Sequence, residues 1–549
     1  MSTQNDWWRT AVIYQIYPRS FADSTGDGVG DLPGITSRLD ALAELGVDAI
    51  WLSPFFTSPQ HDAGYDVADY TDVDPLFGTL ADFDAMRDRA KELGLKVIID
   101  LVPNHSSSAH RWFQAALAAA PGSPERARYL FRDGKGSDGA TPPNNWQSVF
   151  GGPAWTRVLE ADGNPGQWYL HLFDTSQPDF DWTNPEVWEL FRGVLRFWLA
   201  RGVDGFRVDV AHGLAKKAGL PDWTPDPDGG MADHQGDAPY WGQPAVHEVY
   251  RDWHRVLAEF GPDRILAGEA WIEPLTRLAN WVRPDEMQQT FNFSFLATPW
   301  EAAPLKKVVD DSLAAFGGVG APSTWVLSNH DVIRHATRLG LTPPPPQGQG
   351  LGPKTESHPD EVVGLRRARA YTAFMLALPG SAYLYQGEEL GLPEVIDLPD
   401  SARQDPTFFR TGGLSYGRDG CRVPIPWDCA NPATGFGPAG SDGTAASWLP
   451  QPETWADYAR DGQSGIPGST LEFYREALAT RREHGLAGNE LLWQESPEPA
   501  VLVFRSGPVT VFANTGSSPV DLPAGRVILA SGPVGADRLP GDTTVWMVA

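Results

Sequence analysis

Eight short runs of apolar and β-branched residues, separated by amphipathic stretches, constrain this chain more than any other feature. They begin at Ala11 (AVIYQIY), Ala49 (AIWLSP), Lys96 (KVIIDLV), Gly205 (GFRVDV), Ile265 (ILAGEA), Gln289 (QTFNFSF), Thr324 (TWVLSNH) and Ser381 (SAYLYQG). Between them lie helix-period segments such as ITSRLDALAELG, LADFDAMRDRAKELG and VWELFRGVLRFWLARG, which close on Gly as a helix C-cap does. Strands that are apolar almost throughout are buried on both faces, so they read as a parallel sheet covered by helices. Eight such βα units predict an α/β chain closed into a (β/α)8 TIM barrel rather than an open sheet.

The spacing of these units is uneven. Residues 1–105 carry the first part of the barrel. Residues 106–178, poor in periodicity and rich in Gly, Pro, Trp and Asn, read as a loop-rich domain inserted after strand 3. The barrel resumes over 179–484, with a long loop at about 390–456. Two further long loops are expected, Leu220 to Pro244 after strand 4 and the Pro-rich TPPPPQGQGLG from Thr342 after strand 7. All four follow the C-terminal end of a strand, so they crowd the face where barrels keep their chemistry. From about residue 485 to 549 short alternating runs (AVLVFR, VTVFANT, RVILAS, TTVWMVA) predict a C-terminal antiparallel β-sandwich.

With 43 basic and 70 acidic residues the chain carries a net charge of −27. Such a field repels phosphate backbones and anionic membranes but leaves a neutral ligand unaffected, so no nucleic acid and no membrane is expected as partner. The two cysteines, Cys421 and Cys429, are expected as free thiols of a reducing compartment. No basic segment precedes an apolar run in MSTQNDWWRT, and no apolar run approaches the ~20 residues that span a bilayer. A cytoplasmic monomer or homodimer is the expectation.

Three carboxylates stand at or just beyond strand ends: Asp209 in GFRVDVAHG, Glu269 in LAGEAW and Asp331 in LSNHD. Singly, an acid at such a place caps a βα loop. Ring closure, however, brings the ends of strands 4, 5 and 7 toward one pocket. Cleavage of a glycoside with retention needs two carboxyls about 5–5.5 Å apart, one to attack the anomeric carbon and one to transfer the proton. Arg207 lies two residues before Asp209 and on the same side of the strand, where a guanidinium keeps a nucleophilic carboxylate ionised. His105 and His330 also follow strand ends and can bond sugar hydroxyls.

These motifs, DLVPNH from Asp100, GFRVDV, GEAW, SNHD and QPDFD from Gln177, resemble the glycoside hydrolase family of α-amylases and α-glucosidases (family 13). The opening WWRTAVIYQIYPRSFADSTGDGVGDLPGI and the segment DAGYDVADY from Asp62 are similar to its oligo-1,6-glucosidase/α-glucosidase branch, and the resemblance covers essentially the whole chain. It implies Asp209 as nucleophile, Glu269 as general acid/base and Asp331 as stabiliser of the transition state. It further implies that Asp62, Tyr65, His105, Arg207 and His330 hold the non-reducing glucose, and that Phe150 and Phe173 wall the pocket. Arg422, in DGCRVPIPW and near Arg418, resembles the arginine that pairs with Asp62 and closes the pocket. Glu269 has to carry a proton at neutral pH, which neighbouring carboxylates and partial burial favour.

DSTGDGVGD, from Asp23, offers oxygen at alternate positions: Asp23, Thr25, Asp27, the Val29 carbonyl and Asp31. Gly28 suits the sharp turn of a calcium loop, but Gly34 stands where an EF-hand has its bidentate Glu. The resemblance implies a structural Ca2+ or Mg2+ here, usually with Asn in place of Thr25, and no organic cofactor.

The implied activity is that of a retaining α-glucosidase releasing glucose from the non-reducing end of short α-linked glucosides: maltose-, isomaltose- or sucrose-like sugars, or aryl glucosides. Val210, after the nucleophile, accompanies α-1,6 preference in the resembling branch, whereas AHG after it and QPDFD depart from that branch. The alternatives are a transglucosidase or sucrose/trehalose-converting enzyme of the same family and, more remotely, a non-catalytic transporter-associated relative, which normally lacks the acidic triad.

Overall fold

Each of the eight runs supplies a strand to one parallel sheet in the computed structural model, which describes residues 4–160, 162–224, 238–343, 348–438, 447–535 and 537–549. The strands are β1 (Val12–Ile16), β2 (Ala49–Leu52), β3 (Lys96–Leu101), β4 (Gly205–Val208), β5 (Ile265–Gly268), β6 (Gln289–Thr290), β7 (Thr324–Val326) and β8 (Ser381–Tyr385). They pair in the order β6-β5-β4-β3-β2-β1-β8-β7. A parallel bridge from Phe291, just past β6, to Thr324 of β7 joins the two edges and makes the ring.

The two-residue period of a strand sorts its side chains. Ile13, Trp51, Ile98, Ala267, Val326 and Tyr383 fill the inside of the ring. Val12, Tyr14, Ile50, Leu52, Val97 and Ile99 join the larger core shared with the helices. Local signals end the helices as expected. Asp31 caps Leu32–Leu45 by accepting from the Gly34 amide, and Gly46 closes it at φ 94°. The run from Gln289 differs from expectation, because its strand stops at Thr290. The Asn292 side chain accepts from the Phe295 amide and starts the helix Phe293–Ala297 instead.

Between Ser106 and Pro178 the chain forms the helix Arg111–Ala118 and a three-stranded antiparallel sheet of Phe131–Arg132, Trp155–Leu159 and Pro165–Leu170. A bridge from His105 to Asp179 ties both ends of this insertion to the barrel. Of the expected loops, residues 225–237, 344–347 and 439–446 lie outside the described residues. C-terminally, a five-stranded antiparallel sheet shares a small core with the ribbon Val520–Asp521/Arg538–Leu539, through Leu522, Leu539, Val545 and Met547. Its Trp546 donates to the Ala373 carbonyl at 3.0 Å, fixing the sheet on the barrel helix Glu361–Ala377. Cys421 and Cys429 are not bonded to each other. No described helix is long and apolar enough to cross a membrane.

Candidate active site

Asp209 directly follows β4, Glu269 directly follows β5, and one guanidinium holds both. Arg207 Nη1 donates to Asp209 Oδ1 at 2.6 Å, and Arg207 Nη2 lies 3.0 Å from Glu269 Oε2. The same Nη1 also reaches Asp100 Oδ1 at 2.9 Å. Arg207 is 1% exposed and packs over the Trp51 ring at 5.0 Å. One positive charge therefore faces three buried carboxylates. Burial pushes the Asp209 carboxyl up against the pull of Arg207, and the charges of Glu269 and Asp100 add to that push. Burial likewise pushes Asp100 up to about 6. Both shifts, at Asp209 and at Asp100, favour the protonated form.

Both oxygens of Glu269 are fixed. Oε2 accepts from the Val210 amide at 2.9 Å and Oε1 from Trp271 Nε1 at 3.1 Å. Val210 makes its bond from φ 46°, a left-handed conformation that β-branched residues rarely adopt.

Asp331, in the loop after β7, receives Arg418 Nη1 at 3.1 Å and Arg422 Nη2 at 2.9 Å on the same oxygen, with His330 Nε2 at 3.3 Å on the other. Burial alone would raise its carboxyl, but these positive neighbours hold it well below the usual carboxylate range. The direction rests on the two guanidiniums, because burial drives His330 itself toward its neutral form. His330 is held by Gln15 at 2.7 Å and stacks on Tyr65 with centroids 5.2 Å apart.

The expected pairing of Arg422 with Asp62 is corrected by the structure. Arg418 Nη2 binds Asp62 Oδ1 at 2.8 Å, while Arg422 turns to Asp331 and to the His330 carbonyl at 2.8 Å. Arg418 has the reach because its Nε is anchored on Asp405 at 2.6 Å and its guanidinium lies 4.8 Å from the Phe150 centroid. Arg422, on the short helix Asp419–Arg422, is drawn under the loop after β7.

Asp62 also accepts from Gln177 Nε2 at 3.0 Å, and burial pushes its carboxyl up to about 6. Gln177 reaches His105 at 3.2 Å, and burial lowers His105 to about 4, so its ring is neutral. Phe173 packs on His105 at 5.2 Å and on Phe150 at 5.5 Å. Asp62, Tyr65, His105, Phe150, Phe173, Asp209, Glu269, His330 and Asp331 all line one cavity of about 240 Å³. Arg207 and Arg422 stand behind it.

Several site residues escaped the sequence reading. Asp100 was legible as an acid within the apolar run KVIIDLV, and both it and Gln177 lie in quoted motifs. Trp271 closes the quoted motif GEAW, and Arg418 stands out only as a neighbour of Arg422. Asp405 and the aromatic residues Trp146, Trp223, Tyr240 and Trp241 gave no local signal.

The acidic loop from Asp23 lies apart from this cavity. Its donors are all oxygen, as a hard cation requires, and the Asp23 charge adds to the burial that raises Asp31. Yet Asp23 already accepts the Thr25, Gly26 and Gly28 amides, and Asp31 those of Ser24 and Gly34. Nor do the carboxylates of Asp23, Asp27 and Asp31 gather within 4.8 Å of one another; among the described residues Asp428, Cys429 and Asp461 do. The donor chemistry fits Ca2+ or Mg2+, but the gathering of the side chains does not.

Residues 15–488 match the family model described as "Alpha amylase, catalytic domain". A probable alpha-glucosidase of Rhizobium meliloti is 39% identical over 516 residues, covering 90% of this chain and 86% of that protein. The oligo-1,6-glucosidase of Parageobacillus thermoglucosidasius is 34% identical, covering 87% of this chain and 84% of its own. Among solved structures, the α-glucosyl transfer enzyme XgtA superposes with a TM-score of 0.83 at 37% identity, covering 99% of each chain. The trehalulose synthase MutB of Pseudomonas mesoacidophila gives 0.82 at 28% identity, again over 99% of each.

Proposed function

The chain belongs to the α-amylase family, and from that premise we propose that it is a retaining α-glucosidase that releases glucose from the non-reducing end of short α-glucosides. The observation that carries this reading is the pair Asp209 and Glu269 on neighbouring nitrogens of one guanidinium. It suits the close carboxyl pair of a retaining enzyme, about 5–5.5 Å apart.

Asp209 attacks the anomeric carbon, while Glu269 gives a proton to the leaving oxygen. Glu269 then takes a proton from water, and the hydroxide oxygen displaces Asp209. Arg207 draws Asp209 toward its ionised form. Asp331, kept negative by Arg418 and Arg422, stabilises positive charge at the anomeric centre without bonding to it. Asp62 and His105 bind the hydroxyls of the terminal glucose. The Arg418–Asp62 pair, standing on Phe150, closes the end of the pocket and makes the enzyme exo-acting.

The relatives' names divide between hydrolysis and glucosyl transfer, and both share this machinery. Initial rates on maltose, isomaltose, sucrose and trehalose, with product anomers followed by NMR, test the reading. Release of α-glucose first is expected; release of β-glucose first would overturn retention.

A further inference from the structure

Beyond Asp209 the backbone turns on itself. Val210 stands at φ 46°, and the Gly213 amide returns to the Val210 carbonyl at 2.8 Å. This turn is tied twice to the residue after β5. The Val210 amide donates to Glu269 Oε2 at 2.9 Å, and the Ala211 amide donates to the Glu269 carbonyl at 2.8 Å. A β-branched residue keeps a left-handed conformation only where its surroundings leave it no other.

Those surroundings converge on one atom. The Ala211 carbonyl oxygen accepts the Tyr250 hydroxyl and, at 3.0 Å, the Trp281 indole N–H, which together use both of its lone pairs. Ala211 is buried, so water offers that oxygen no substitute. The two donors come from different elements, the helix Val246–Ala258 and the short helix Ala279–Val282. Both side chains are buried, and neither lines the cavity. Burial raises the Tyr250 phenol well above its ordinary value, so it stays a donor. His247, one turn before Tyr250 on the same helix, packs on the Trp281 ring at 4.7 Å. His247 is itself held by the buried Glu286 carboxylate at 2.7 Å, which also accepts Arg283 Nη2 at 2.6 Å.

We propose that Tyr250 and Trp281 are positioning residues for proton transfer: by holding the Ala211 carbonyl they keep the turn at Val210 in the conformation whose amide orients Glu269. The proposal rests on the glucosidase reading above. Asp209 has restraints of its own, because its amide donates to the Leu101 carbonyl at 2.9 Å and its carboxyl sits on Arg207. A loosened turn therefore reaches Glu269 before it reaches the nucleophile. The defect it causes is confined to bonds whose cleavage needs a proton on the leaving oxygen.

The test compares phenyl and 2,4-dinitrophenyl α-glucosides. Phenolate is a poor leaving group that needs the proton, whereas 2,4-dinitrophenolate departs without it. Tyr250→Phe removes one oxygen and keeps the ring. It should lower kcat/KM on the phenyl glucoside by about tenfold and on the dinitrophenyl glucoside by less than about twofold. Trp281→Phe should move the same ratio in the same direction. Both rates are read on one preparation, so the ratio does not depend on the amount of folded enzyme. Tyr371→Phe deletes another buried hydroxyl, bonded to the Phe295 carbonyl at 2.9 Å away from the cavity, and should leave the ratio unchanged. An unchanged ratio in Tyr250→Phe, or an equal shift in Tyr371→Phe, would overturn the positioning role and leave the glucosidase reading standing. No glucose from either glucoside with the unmodified enzyme would overturn that underlying reading.

Discussion

The backbone amide of Val210 donates to Glu269 Oε2 at 2.9 Å, so the residue after the attacking carboxylate orients the proton-transferring one. The bond couples the ends of two adjacent strands. It also requires φ 46° at a β-branched residue, a conformation that costs on the order of 1–2 kcal/mol. Local strain is thus held in place at the point where the two carboxyls must keep register.

Val210 lines the cavity as well, so its side chain touches what its amide organises. Val210→Thr should lower the ratio of isomaltose to maltose kcat/KM, by roughly tenfold, with both reactions retained. An unchanged ratio would remove Val210 from linkage selection.

Asp209→Asn should lower kcat by roughly a thousandfold or more. Stability should fall by no more than about 1 kcal/mol, because the change removes one of three carboxylates crowding a single guanidinium. Kinetics beside urea denaturation measure both. Near-normal turnover would exclude Asp209 as nucleophile.

Arg418 joins Asp62, Asp331 and Asp405. Arg418→Ala leaves buried carboxylates without their partner and should cost about 3–5 kcal/mol. Arg418→Lys restores charge but not the fork and should keep most of the stability while raising KM. A lysine variant with wild-type KM would show that geometry at this position is irrelevant to binding.

Glu388 gives a pH-dependent test outside the cavity. It is 4% exposed; one oxygen accepts the Tyr385 amide and the other has no hydrogen-bond partner. Burial, reinforced by the Glu389 charge, pushes it up to about 8. Between the ordinary glutamate value and 8 the folded chain therefore holds a proton that the unfolded chain has lost. Stability from this residue is fully present below about pH 4.5 and falls as pH rises toward 8. Glu388→Gln cannot lose that proton. It should be about as stable as wild type at pH 5 and more stable by roughly 3–5 kcal/mol at pH 8 or above. Parallel stability–pH curves for the two proteins would contradict the assignment.

The loop at Asp23 is the place to test for the expected cation. Because its carboxylates already hold backbone amides, chelation should shift the melting temperature by only about 2 °C, whereas Asp23→Ala should lower stability by about 1–3 kcal/mol. A large loss on chelation, reversed by Ca2+, would show that an ion carries the loop.

The sequence by itself determined the barrel and the positions of Asp209, Glu269 and Asp331. Strand periodicity is local, and a ring of strands leaves few places for residues at their ends to go. Arg207 and Asp209 share a face for the same reason. Tertiary structure alone decided that Arg418 rather than Arg422 meets Asp62, a contact across 356 positions. It alone decided that Trp146, Tyr240 and Trp241, from two separate loops, build one wall. Such contacts depend on where long loops come to rest against one another. That is fixed by packing and by the pairing of buried charges, which leave no period in the sequence.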